Sequence, residues 1–395
     1  MQQGQSQSAT RDGAPRVDVV DLLRGLVIVL MILDHTRDYF HEAALAFDPT
    51  ELGKTTPALF LTRWITHLCA PTFVFLAGVS VWLQRAAGRS LPDVRRLLIT
   101  RGLWLITLEL TVVSFGFNFA WPFFFIQVIW AIGSGMLLLA LLVHLGRQTI
   151  LVIGAVLVVG HQLVAPFDAA AFGPAAAIWR LFLEPGALGG IPGFAVYPII
   201  PWFGIMCLGY GLGELFRLPA SARDKRLVSL GASALVAFAI FRALGLWGDP
   251  SPWVSGPDGV RTALSFINAS KYPPSLLFVL LTLGVVALLA PAIGRLGSPL
   301  RGLFLAMGRT PFFTYLLHIY VVHGAATAVG AMLGVPPSAF INFLGDPNRL
   351  VAFGWGLGLG WVYLIWILII VALYPASRWF ADVKRRNRSP WLAYL

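Results

Sequence analysis

Apolar runs about twenty residues long recur along this chain, and they constrain its fold more than any other feature. A bilayer's hydrocarbon core is about 30 Å thick and offers backbone amides no water, so a run of that length crosses it as a helix. The chain has 395 residues, 57% of them hydrophobic and 12% charged, with a mean hydropathy of +0.77. That balance excludes a water-soluble globular protein. Ten spans are expected, at about 19–40, 58–83, 97–117, 122–143, 149–166, 198–216, 227–245, 275–293, 304–333 and 351–374. The ninth is the longest and is expected to be tilted or broken. The fold class is therefore all-α: a polytopic integral membrane protein with about ten transmembrane helices in one bundle.

Basic residues give the orientation. With the N-terminus inside, Lys and Arg divide roughly three to one in favour of the inner connections, so an N-in, C-in chain of the (inner) cell membrane is expected. The net charge of +11 is spread loop by loop along one side, with no stacking aromatics beside it, which excludes a nucleic-acid partner. Membrane lipids are the implied surroundings. A polar leader, 1–18, precedes the membrane domain, 19–376, and a basic tail, 377–395, follows it. The first span is read as an uncleaved anchor. Cys69 and Cys207 both fall inside spans and suggest neither a disulfide nor a metal site.

The first span reads "DLLRGLVIVLMILDHTRDYF". Arg24 and His35 are eleven residues apart, which places them within about 20° of one helical face and about 16 Å apart along it. Asp21, Met31 and Asp38 extend the stripe, and Asp34 lies to one side, facing a neighbouring helix. Ionisable residues inside spans face a polar interior, so this stripe marks a site. Glu109 is the one deep glutamate of the third span, placed to orient a histidine or pair with an arginine. His67, four residues before Pro71, is placed to bond a carbonyl that this proline frees. His318 and His323 are about 140° apart around their helix and cannot share a site on an unbroken one. His144 and His161 read as loop or interface residues. The larger outer connections, 41–57, 167–197, 246–274 and 334–350, are rich in Pro, Gly, Trp and acids. The prolines of "IPGFAVYPIIPWFG" and "NASKYPPSL" mark helix entrances or shape an outer vestibule, with Trp202, Lys271 and Tyr272 at interface depth. "GWGLGLG", 354–360, reads as close helix packing inside the tenth span.

The stretch "DLLRGLVIVLMILDH" is similar to the first-helix signature of the membrane-bound acyltransferase superfamily, a basic residue eleven positions before a histidine. "GRTPFFTYLLHIYVVH" resembles that superfamily's late-helix pattern. The closer likeness is to the heparan-alpha-glucosaminide N-acetyltransferase family in its bacterial branch. It runs through "DLLRGLVIVLMILDHTRDYFH", "TRWITHLCAPTFVFLAGVS", "YPIIPWFGIMCLGYGLG" and "KYPPSLLF", in order along nearly the whole chain. The resemblance implies an acyl-CoA-dependent acyltransferase that moves an acetyl or other acyl group from cytoplasmic acyl-CoA to an amine or hydroxyl acceptor, a sugar or glycan, at the outer face. The family's pattern has asparagine at the position of His35 and a later histidine that matches "YFH", Tyr39 to His41, across a gap. His35 and His41 are therefore rival general bases.

The required chemistry is proton removal from the attacking acceptor, and an imidazole suits it near neutrality. Asp34 or Asp38 is expected to orient His35, and direct transfer and an acyl-histidine route both remain open. CoA phosphates need cations at the inner mouth, and Arg24, Arg101, Arg301 and Arg309 are the candidates. No metal or haem is expected. Two other classes compete: an exporter or flippase of a small or lipid-linked sugar, which the lack of an internal repeat counts against, and a haem protein using His35, His67 and His318.

Overall fold

The computed structural model describes residues 17–43, 47–164, 166–346, 348–387, 389 and 392. The first apolar run folds as α1 (Asp18–Phe40), with Asp18 and Asp21 in its positively polarised first turn and Arg37 in its last. The chain returns through α2 (Pro57–Thr66), which Thr56 caps by accepting from the Leu59 amide, and α3 (Cys69–Ala86). Between α2 and α3 the helix breaks at His67 and Leu68. Next come α4 (Leu91–Leu108), a π-helical turn (Glu109–Val113) and α5 (Ser114–Asn118). Strand β1 (Phe124–Ile126) leads into α6 (Val128–Leu142), followed by α7 (Arg147–Gly160) and α8 (Ala176–Phe182). Strands β2 (Gly186–Ala187) and β3 (Gly193–Ala195) precede α9 (Ile199–Leu212). The remainder comprises α10 (Ala220–Ala243), α11 (Gly259–Ile267), α12 (Leu276–Gly294), α13 (Leu300–Arg309), α14 (Pro311–Met332), α15 (Asn348–Ala352) and α16 (Leu359–Arg386).

The molecule is an all-α polytopic membrane protein. Eight helical stretches among the described residues are long and apolar enough to cross a membrane, counting α2 with α3 and α4 with α5. The charges of α1 and the shortness of α6 keep those two out of that set. Yet α1 lies at the centre, packed against α3, α12, α13, α14 and α16. A three-stranded sheet in the order β1-β3-β2 pairs Phe125 with Phe194 and closes the end of the bundle near Phe40.

The ten expected segments all contain helix, with one difference of substance. The ninth is broken, as expected of it, at Thr310 into α13 and α14, because Pro311 can start a helix but cannot continue one. The tenth begins at Leu359, eight residues later than 351, and runs to Arg386. Consequently "GWGLGLG" is not a packing motif inside a span. Gly354 and Gly356 have φ of +65° and +144°, and the chain there crosses the end of α1. The Leu357 amide donates to the Phe40 carbonyl at 2.6 Å, and a Cβ on Gly356 would meet Glu42 Cα at 2.1 Å. Only glycine permits both that conformation and that approach. The helical reach of α16 also takes ten residues from the expected tail, 377–395.

Backbone-to-backbone contact at glycines holds the bundle. A Cβ on Gly25 would lie 1.9 Å from the Phe304 carbonyl oxygen, and one on Gly308 1.8 Å from that of Asp21, so α1 and α13 touch directly. Gly78 and Gly209 play the same part between α3 and α9, at 2.0 Å from Met206 O and 1.9 Å from Phe75 O. Gly308→Ala should therefore destabilise by at least about 1–3 kcal/mol, the cost of overpacking. Gly324→Ala, where a Cβ meets nothing within 4 Å, should be neutral or slightly stabilising. Thermal unfolding of the two detergent-solubilised variants checks this. Equal midpoints would mean that the α1–α13 contact tolerates a methyl group.

Candidate functional site

One face of α1 borders a cavity of about 260 Å³, to which it contributes Met31, Asp34, His35, Asp38 and Tyr39. Their three- and four-residue spacing is the helical repeat, so a single helix supplies a continuous polar wall. Opposite stand Arg63 and Thr66 of α2, Cys69 and Phe73 of α3, Gln127 and Val128 at the start of α6, and Tyr315 of α14. Val196, Tyr197, Lys271, Tyr272, Phe343 and Leu344 close the end near Phe40, and all six come from the three long connections after α8, α11 and α14.

Asp34 is the electrostatic centre of this wall. Arg63 Nη1 donates to its two oxygens at 2.8 and 2.7 Å, and Thr66 Oγ1 donates to Oδ1 at 2.7 Å. Arg37 Nη1 also lies 2.8 Å from Oδ1, as an ion contact off the hydrogen-bonding direction, and its Nη2 pairs with Asp38. Arg37 is 1% exposed, so its charge is sealed inside the protein. The expectation that Asp34 or Asp38 orients His35 therefore differs from what is found, because both carboxylates are engaged by guanidinium groups.

The group bonded to His35 is another histidine. His35 Nδ1 lies 2.7 Å from His318 Nε2, and His318 Nδ1 lies 3.2 Å from the Thr314 carbonyl oxygen. The two rings are within 10° of parallel with centroids 5.0 Å apart, so at that nitrogen separation they meet edge to edge and do not stack. A carbonyl can only accept, so His318 carries its proton on Nδ1 and offers a lone pair at Nε2. His35 then donates from Nδ1, which leaves a lone pair on its own Nε2. Phe117 packs edge-on against His35 with ring centroids 5.0 Å apart and fixes the ring plane. His323 points elsewhere, its nitrogens 2.9 and 3.0 Å from the Gly116 and Phe340 carbonyls.

The other expected residues scatter around this centre. His41 caps α1 beyond the cavity lining, with Nδ1 accepting from the Ala43 amide at 3.0 Å. Burial lowers its pKa, with Glu42 opposing and Arg37 assisting. His67 sits in the α2–α3 break, buried and edge-on to Phe278 at 5.6 Å. Glu109 accepts from the Gln127 amide and so caps α6, while its Oε2 has no partner among the described residues. Trp202 is fully buried behind Tyr197, with ring centroids 4.7 Å apart, and does not line the cavity. Lys271 and Tyr272 do line it. The Lys271 ammonium lies 4.9 Å from the Tyr272 ring centroid, and no carboxylate of the described residues is within 4 Å of it. Burial alone would raise the Tyr272 phenol, but Lys271 and Arg63 bring its pKa below the ordinary value, a sign of positive potential there.

At the opposite end of α1, three of the four expected arginines converge. Arg24 bonds Asp21 at 3.1 Å and also Ser80, Arg301 bonds Asp18 at 2.8 Å, and Arg309 reaches Asp18 at 3.5 Å and Asp21 at 3.9 Å. Arg101 is half-buried on α4. Sequence reasoning did not single out Arg37, Arg63, Tyr197, Gln127 or Tyr315. A signal existed for Arg37, three residues after Asp34 on one helix. One also existed for Arg63, a charge inside the expected span 58–83. None marked the other three, whose positions depend on helix packing.

Residues 16–247 match the model of the family described as heparan-alpha-glucosaminide N-acetyltransferase, catalytic. No curated protein matches the chain.

Removing Asp34 tests the electrostatic account. Asp34→Leu leaves the buried Arg63 guanidinium without its carboxylate and Arg37 with Asp38 alone, and should cost about 3–5 kcal/mol, as breaking a buried pair does. Asp38→Ala removes a partly exposed partner and should cost under about 1 kcal/mol. Denaturation midpoints of both variants in one detergent decide the matter, and a small cost at Asp34 would show that Arg37 and Arg63 do not need it.

Proposed function

The chain belongs to the heparan-alpha-glucosaminide N-acetyltransferase catalytic family and is a transmembrane acetyltransferase, and we propose that it transfers an acetyl group from acetyl-CoA to an amine or hydroxyl on a sugar-type acceptor at the opposite membrane face. His35 is the general base. The observation that carries this reading is the hydrogen-bonded chain Thr314 O, His318, His35, which leaves the Nε2 lone pair of a cavity-lining imidazole as the ring's acceptor. As the acceptor attacks the thioester carbon, His35 Nε2 takes its proton. The carbon–sulfur bond then breaks, and the CoA sulfur leaves with the proton that the imidazolium returns. His318 stabilises that imidazolium by accepting from Nδ1–H, the part a third group plays in a catalytic triad.

CoA enters from the Asp18 end, where Arg24, Arg301 and Arg309 cluster and Arg101 is the remaining candidate phosphate ligand. The positive-inside bias makes that end cytoplasmic. The acceptor approaches from the Phe40 end, past Lys271 and Tyr272. Two observations favour His35 over His41. His41 lies outside the cavity lining, and its Nδ1 is committed to a backbone amide.

Removing a positioned base costs about 10²–10⁴-fold in rate. His35→Ala should lose transfer by that factor, measured with radiolabelled acetyl-CoA and a panel of amino sugars, while still binding acetyl-CoA. His41→Ala should stay within a few-fold of the wild type. Near wild-type transfer by His35→Ala beside an inactive His41→Ala would move the base to His41. Arg24→Ala should weaken acetyl-CoA binding with little effect on acceptor KM, since about 16 Å of helix separates it from His35. Unchanged affinity would reduce Arg24 to a topological anchor.

A further inference from the structure

Ten buried side-chain polar atoms among the described residues lack a hydrogen-bond partner, and two of them belong to residues that line the cavity beside the proposed base. Tyr315 is 3% exposed and its hydroxyl has no hydrogen-bond partner among the described residues. Gln127 is 9% exposed and its Nε2 likewise has none. Both line the cavity that His35 lines. Glu109 Oε2 is another such atom, on the carboxylate whose other oxygen accepts from the Gln127 amide. Tyr315 stands one turn before His318 on α14, its ring 5.4 Å from the His318 ring. Leaving a buried donor unmade costs about 1–3 kcal/mol, so donors of this kind persist where a ligand completes them.

The backbone points the same way. Gln127 and Val128 begin α6 and both border the cavity, so the positive end of a fifteen-residue helix faces the same space. Two neutral donors and a helix N-terminus make an environment for developing negative charge, with the Glu109 carboxylate held on the Gln127 amide.

From this geometry we infer that the Tyr315 hydroxyl and the Gln127 carboxamide N–H groups are the donors to the acyl oxygen of the thioester. The inference rests on the acetyltransferase reading. As the acceptor's nucleophilic atom bonds the thioester carbon, the carbonyl π pair moves onto oxygen, and Tyr315 and Gln127 hold that oxyanion. The pair returns to re-form the carbonyl as the carbon–sulfur bond breaks, and the sulfur leaves with the proton that His35 took from the acceptor. Tyr315 and Gln127 exchange no proton in the cycle. They touch the reacting oxygen and are catalytic residues in that sense.

The partnerless hydroxyl makes the test unusually clean. Tyr315→Phe removes no hydrogen bond made within the protein, so the folded chain should melt at the wild-type temperature or above it. Its kcat should nevertheless fall about 10²–10³-fold, the usual loss for one oxyanion donor. Acceptor KM and acetyl-CoA Kd should stay within about twofold, because the donors bond the neutral carbonyl weakly and the charge that they hold develops only in the transition state. Gln127→Met should behave alike. Infrared spectra of protein-bound acetyl-CoA labelled with ¹³C at the thioester carbonyl supply a second readout that needs no turnover. The carbonyl stretch should be lowered in the wild type and move back toward its solution value in Tyr315→Phe. A Tyr315→Phe enzyme with kcat within about threefold of the wild type would overturn the inference and leave the acetyltransferase reading intact. So would a loss of activity accompanied by a lower melting temperature and weaker acetyl-CoA binding. Wild-type protein inactive toward every acceptor tried would instead bring down the acetyltransferase reading itself, and this inference with it.

Discussion

The ion contacts of Asp34 are the constraint from which the rest of the site follows. A carboxylate and two guanidinium groups inside a helical bundle are tolerable only when they neutralise one another and their remaining hydrogen-bonding capacity is used. Asp34 meets Arg63, Arg37 and Thr66 at 2.7 to 2.8 Å, and Asp38 supplies Arg37 with the second carboxylate. That cluster fixes the rotation of α1 against α2. With that rotation set, His35, the next residue on α1, is carried to the edge of His318, and Asp38 and Met31 fall along the same cavity wall.

The depth of α1 in the bundle depends on a second device at its other end. The glycines at 25 and 308 let α1 and α13 meet backbone to backbone, which brings Arg24, Arg301 and Arg309 around Asp18 and Asp21. One helix is thus held by ion pairs at both ends and by glycine contact between them. Its central stretch, Leu26 to Leu33, is wholly apolar and spaces the two clusters by about three turns, with Met31 on the cavity wall.

The roof over the cavity is irregular, and it is braced where its side chains matter. Arg242, at the end of α10, is 3% exposed and donates to the carbonyls of Ser251, Ser265, Phe266 and Asn268. Its ion partner Asp249, at 3.6 Å, accepts from the Ser270 amide and the Ser275 hydroxyl. These bonds flank Lys271 and Tyr272, two cavity residues on a loop. Irregular backbone at this depth keeps its polar groups satisfied by side chains, as a membrane protein requires.

The sequence by itself determined the solvent, the helical class, the positions of ten apolar segments and the special standing of the first one, because those depend on the local count and spacing of apolar and charged side chains. It also marked Arg24, Asp34, His35, Asp38 and His318, since charge in an apolar run is visible in any window. It misplaced the start of the last helix, because the glycines at 354 and 356 look like packing residues until the chain is seen crossing Glu42. Only the tertiary structure decided that His35 is bonded by His318 and not by a neighbouring aspartate, and that Arg63, Gln127 and Tyr315 belong to the same cavity. The physical reason is that residues up to 283 positions apart come within 2.7 Å through helix rotation and depth. Those variables are set by glycine contacts and buried ion pairs between helices, which no stretch of one helix contains.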